Sequence, residues 1–129
     1  MKCIVRLLLA LLFAFAFVGC SKAPTMTAVH GKSLDYWVNA LNDKDAKARR
    51  KAAEVLGNVG AVDPAVVPAL IAALRDVDAN VRAQAVLSLL KIGPPAQNAV
   101  AALTALGNDR DAAVRAHATK ALERIQRPN

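Results

Sequence analysis

The sequence predicts an all-α fold, a short right-handed α-solenoid of three helix pairs (an α–α superhelix). Two observations carry this. Hydrophobic residues make up 55% of the 129 residues but aromatics only 4%. The apolar content is therefore mostly Ala, Val and Leu, which suits closely packed helices better than a β-sandwich. The second observation is an internal repeat with a period of 33 residues. Asp45, Asp78 and Asp111 share that spacing, as do Arg49, Arg82 and Arg115, and Asp43, Asp76 and Asp109. Apolar columns follow the same register: Leu34, Val67 and Val100; Trp37, Leu70 and Leu103; Ala52, Ala85 and Ala118; Leu56, Leu89 and Leu122; Val59, Ile92 and Ile125. A repeated unit of this length reads as a supersecondary module that buries its apolar side only by stacking on its neighbours.

Residues 1–19 read as an export signal. Lys2 and Arg6 give a positive start, and Leu7 to Val18 is an uninterrupted apolar run. A bilayer-spanning helix needs roughly 20 apolar residues, so this run fits the core of a signal peptide better than a permanent anchor. It ends in Phe17-Val18-Gly19-Cys20. This tetrad resembles the lipobox of bacterial lipoproteins, with Phe17 where that family usually has Leu. The resemblance implies cleavage before Cys20, a diacylglycerol on its sulfur and an acyl chain on its new amine. Several acyl chains hold a protein on a bilayer stably, where one is marginal. By the same resemblance, Ser21 favours the outer membrane over the inner. Residues 20–32 are polar and small, with Pro24 and Gly31, and read as a lipidated N-terminus with a flexible tether.

Residues 33–129 form the repeat domain, with units at about 33–60, 64–93 and 95–126. In the first, Ser33 caps one helix, Asp45 caps the next and Gly60 stops it. In the second, Asp63-Pro64 is a start signal, and Pro68 within the first turns is expected to shift that start or kink the helix. Val67, Leu70, Ile71 and Leu74 make one helical stripe. Asp78 caps the second helix of the pair, which Gly93 terminates and Pro94-Pro95 keep from continuing. The third unit begins near Pro95 and ends at Ile125, with Arg115, Lys120, Arg124 and Arg127 expected to cap the outer face.

The motif residues Pro68, Leu70, Leu74, Asp76, Asp78, Val81, Arg82, Ala85, Leu89, Ile92 and Gly93 resemble a HEAT repeat, in particular the short type found in phycobilin lyases. The resemblance covers residues 33–126. It implies a scaffold or adaptor fold and leaves function open, since function resides in sites rather than folds. Two groups of side chains stand out. Asp45–Arg49, Asp78–Arg82 and Asp111–Arg115 lie at i,i+4 and read as a structural ladder, each Arg bonding turn carbonyls or an Asp of its own or the next unit. The resemblance implies that the second helix of each pair lines a concave face. There Lys47, Arg50, Lys51, Gln84, Leu87, Lys91, His117, Lys120 and Arg124 make a mostly cationic surface, suited to an acidic protein segment or anionic head groups.

Trp37 falls in the column of Leu70 and Leu103 and is expected in the core. Formal charge is +7, which in an exported chain points to acidic partners or anionic membrane rather than nucleic acid. No nucleophile–base grouping, phosphate loop, cofactor motif or metal-ligand cluster is present in the sequence. The reading is a membrane-anchored interaction scaffold of the bacterial cell envelope, with an unidentified protein partner. The alternatives are a structural spacer in an envelope complex, a lyase-like HEAT protein and a nucleic-acid-binding one.

Overall fold

A computed structural model describes residues 28–127. Among these residues six α-helices follow one another: α1 (Leu34–Ala40), α2 (Ala46–Val59), α3 (Val66–Ala73), α4 (Ala79–Ile92), α5 (Val100–Ala105) and α6 (Ala112–Gln126). They pair as α1/α2, α3/α4 and α5/α6, and the pairs stack into a three-unit solenoid. The most extensive helix–helix contact is between α2 and α4, followed by α4 with α6.

Each second helix begins in the same way. The side chains of Asp45, Asp78 and Asp111 accept backbone N–H groups of the first turn, at Lys47, at Asn80 and Val81, and at Ala113 and Val114. This meets donors that have no partner inside the helix. Gly60 and Gly93 end α2 and α4 with φ of 75° and 73°, a left-handed region that costs glycine least.

The first helices are less regular. Asp63 does not cap α3. Its carboxylate accepts the Ala65 N–H at 2.8 Å in a turn that precedes the helix, and α3 starts at Val66. Pro68 then stands in the first helical turn, where a missing N–H breaks no bond. The third unit opens with a 3₁₀ stretch over Pro94–Ala99, so α5 starts at Val100, beyond the expected start near Pro95, and has only six residues.

The core runs through all three units. Leu34, Trp37, Leu56, Leu70, Leu74, Ala85, Leu89, Leu103, Ala118 and Ile125 are buried in one cluster. Full burial of a Leu or Ile side chain is worth about 1.5–3 kcal/mol. At the N-terminal end, residues 28–32 are not tether. Val29 and Lys32 form an antiparallel bridge, and the Trp37 indole Nε1 donates to the Val29 carbonyl at 3.0 Å. Val29 packs against the core, while Lys32 Nζ sits 3.8 Å from the Tyr36 ring centre. The indole's apolar body is buried as expected, and its polar edge ties down the chain entering the domain. Residues 1–19 and Cys20, read above as signal and lipid site, lie outside the described residues. Among the described residues no helix is long and apolar enough to cross a membrane.

Candidate functional site: the cationic second-helix face

The 33-residue register sets α2, α4 and α6 side by side, so equivalent positions form rows across the solenoid. One contact demonstrates this directly: Lys91 Nζ donates to Asn58 Oδ1, the side chain one repeat earlier. The rows on the outward side are Lys47, Asn80 and Ala113; Lys51, Gln84 and His117; Glu54, Leu87 and Lys120; Asn58, Lys91 and Arg124.

Lys47, Arg50, Lys51, Leu87, Lys91, Lys120 and Arg124 are exposed, and Gln84 and His117 half-buried. The sequence-predicted surface is therefore one contiguous face. Its single carboxylate among those rows, Glu54, pairs with Lys51 at 3.1 Å. Leu87, at 37% exposure, gives the face one apolar point between cations. Arg124 reaches back over the end of α4, where a side chain on Gly93 would come within 3.4 Å of its Nε. At the other end of the face, Lys47 and Arg50 border an open groove of about 490 Å³ between the starts of α2 and α4. Asp45, Asp78 and Asn80 complete it.

The ladder is wired differently from the local pairing that i,i+4 spacing suggests. Asp45, Asp78 and Asp111 are occupied as caps. The Arg49 guanidinium instead grips Asp76 of the next unit through Nε and Nη2 at 2.7 and 2.9 Å. Arg82 grips Asp109 at 2.8 and 2.9 Å. Each guanidinium also braces the turn before its own helix: Arg49 Nη1 donates to the Asp43 and Lys44 carbonyls, and Arg82 Nη1 to those of Asp76 and Val77. Arg115 Nη1 makes the same two contacts, to Asp109 and Arg110, at 2.7 and 3.2 Å.

Bidentate Arg–carboxylate geometry is strong and directional. The hydrogen bond from Arg82 holds the Asp109 carboxyl below the usual carboxylate range, against the opposing effect of its burial. For Asp76, burial pushes upward most, yet Arg49, the Asp78 N–H and the charge of Arg82 together prevail and lower it.

Asp76 and Asp109 are thus the next-unit acids that the sequence reading allows each Arg without naming them. They were visible as a column with Asp43. The signal that finds them is the recurrent 27-residue separation from the preceding Arg. The ends of the solenoid also differ from expectation. Lys120 and Arg124 belong to the second-helix face, whereas the register of Ala53 and Gly57, which face the next unit, is continued in α6 by Thr119 and Glu123. These two, with Arg115 and Gln126, make the outer end polar.

Two solved structures are similar to this arrangement. An engineered protein matches with 26% identity and a TM-score of 0.59, covering 71% of this chain and 44% of its own. Human deoxyhypusine hydroxylase, in complex with glycerol, matches with 30% identity and a TM-score of 0.60, covering 71% and 31%. The chain thus spans less than half the length of either. No curated protein matches. The profile of the family described as HEAT repeats matches residues 34–123. With its 33-residue pairs, its stacked core and that match over most of its length, the chain belongs to the HEAT-repeat family.

Proposed function

We propose that this chain is a lipid-anchored scaffold of the bacterial cell envelope, whose second-helix face holds an acidic segment of a protein partner. The observation that carries the partner side is the charge of that face. Six cations, Lys47, Arg50, Lys51, Lys91, Lys120 and Arg124, share it with one carboxylate among its rows that is already paired, while Asp45 and Asp78 at the groove end are held as helix caps. Such a field speeds the encounter with an acidic segment and orients it, and Leu87 gives the bound segment an apolar foothold. The short phycobilin-lyase-like form of the repeat belongs to the same reading, as a source of shape rather than of chemistry. The anchor side rests on the tetrad ending at Cys20. The outer membrane is the favoured site because Ser21 follows it.

Two measurements test the halves separately. Crosslinking in intact cells through Lys51, Lys91 and Lys120, read by mass spectrometry, is expected to capture an acidic protein. Charge reversal at Arg50 and Arg124, which leaves every crosslinking lysine in place, is expected to abolish capture without altering the fold. Capture at no lysine would instead make the domain a spacer within a larger complex. Metabolic labelling with a fatty acid is expected to mark the wild-type chain. In Cys20→Ala, both label and membrane retention should disappear. A labelled mutant removes the lipid assignment; an unlabelled mutant that stays on membranes after losing residues 1–19 assigns the cationic face to head groups instead.

A further inference from the structure

We propose that copies of this chain join head to tail, with Arg115 of one copy gripping Asp43 of the next. Within the molecule the same rung occurs twice, Arg49 to Asp76 and Arg82 to Asp109, with matching distances. Each rung has two prepared halves. The Arg half is pinned by Nη1 on two turn carbonyls, which leaves Nε and Nη2 aimed at the next unit. The Asp half is pinned by Oδ1, which accepts the N–H two residues on: Asp78 onto Asp76 at 2.9 Å and Asp111 onto Asp109 at 2.9 Å.

The ends of the solenoid carry one half each. Arg115 keeps both carbonyl contacts at 2.7 and 3.2 Å, and among the described residues no carboxylate meets its Nε or Nη2. Asp43 Oδ1 accepts the Asp45 N–H at 2.8 Å, and among the described residues no Arg lies in the position that Arg49 takes toward Asp76. Both side chains are exposed. The two ends of the molecule therefore carry the complementary halves of one rung.

A guanidinium and a carboxylate already held in their bound geometry lose little conformational freedom on pairing. The contact is heterologous, so it propagates into rings or open filaments rather than closing as a two-fold dimer. Thr119 and Glu123 stand where interior joints have apolar or small residues, so the end-to-end joint depends on the ion pair and is reversible.

The test uses the full chain in two differently tagged forms, co-expressed, with a photo-crosslinking amino acid in place of exposed Ala116. Irradiation of intact cells is expected to give mixed-tag adducts at dimer size and above. Asp43→Asn keeps an oxygen for the Asp45 N–H but removes the charge, and should lower adduct yield about tenfold. Arg115→Gln should do the same, and co-expression of an Asp43→Asn copy with an Arg115→Gln copy, which leaves one intact Arg115–Asp43 joint, should restore mixed-tag adducts at dimer size only. Thermal melts of each variant report whether it folds, and Asp43→Asn alone decides if the Arg115 variants do not. Absence of mixed-tag adducts in the parent, yield unchanged by Asp43→Asn, or folded complementary single variants that give none on co-expression would each overturn the proposal.

Discussion

The joint between the first and second units and the joint between the second and third carry the same rung above different packing. Arg49–Asp76 and Arg82–Asp109 agree within 0.1 Å at their shortest contacts. Beneath the first, Gly57 of α2 meets Ser88 of α4, and the Ser88 hydroxyl donates to the Ala53 carbonyl at 2.8 Å. One repeat later the same positions hold Leu90, Ala121 and Val86. The rung fixes register, because a guanidinium fork tolerates little displacement. The residues below it fix how closely two second helices approach. A small–small contact brings α2 and α4 together, while α4 carries the larger Leu90, partly buried against the core, at the corresponding position.

The largest expected effect comes from disturbing that closeness. A methyl on Gly57 would lie 2.9 Å from the Ser88 Cα, a backbone atom that cannot rotate away. Gly57→Ala gains up to about 1 kcal/mol in helix propensity, yet overpacking a rigid contact costs about 1–3 kcal/mol. We expect a net loss of about 2 kcal/mol, the upper overpacking cost less the propensity gain, because α4 must shift as a body. At the equivalent position of the other joint, the effect comes from the opposite change: Leu90→Ala removes a partly buried side chain and should cost about 1–2 kcal/mol. Urea midpoints for the two variants check the contrast. A Gly57→Ala domain as stable as its parent would mean that the first joint is not closely packed.

The rungs come next. Asp109→Asn keeps the shape but removes the charge that Arg82 grips. With solvent screening allowed for, the loss should be about 1–2 kcal/mol. The pH dependence has a fixed sign. Asp76 and Asp109 titrate below the ordinary carboxylate range in the fold. Their stabilisation is therefore complete above the unfolded value of about 3.9, and is lost as pH falls below it through the folded values. Urea midpoints between pH 6 and pH 2.5 should fall steeply for the parent and less steeply for Asp109→Asn. Parallel curves would remove the rung as the cause.

What could be read from the sequence follows the range of the forces involved. The second helices were legible because their signals are local: Asp45, Asp78 and Asp111 cap within three residues, and Gly60 and Gly93 stop within one turn. The cationic face was legible because columns of a fixed repeat become rows once helices stack. The choice among the partners open to each Arg was not, because i,i+4 spacing offers Asp45 to Arg49 while the cap bond already occupies it. The acid that wins comes from the next unit, and only stacking selects it. The start of α3 was misplaced because Asp63-Pro64 resembles a cap although its carboxylate closes a tight turn instead. The fold-back of residues 28–32 depends on one indole N–H reaching Val29, which no local pattern encodes.

The smallest expected effect tests whether Ser88 acts through its hydroxyl or its size. Ser88 is buried, and its hydroxyl hydrogen bond joins α4 to α2. A neutral hydrogen bond is worth about 1 kcal/mol net, while Ser to Ala in a helix recovers about half of that. Ser88→Ala should therefore cost about 0.5 kcal/mol and make the first joint resemble the second, where Ala121 already holds that position. In the Gly57→Ala background it should give no rescue, because the Ser88 Cβ and Cα that crowd the new methyl remain. Ser88→Gly removes that Cβ and should recover part of the loss despite its own propensity cost of about 1 kcal/mol. Rescue by Ala as large as by Gly would place the conflict at the hydroxyl, and the close approach of α2 and α4 would then be a matter of hydrogen bonding rather than of volume.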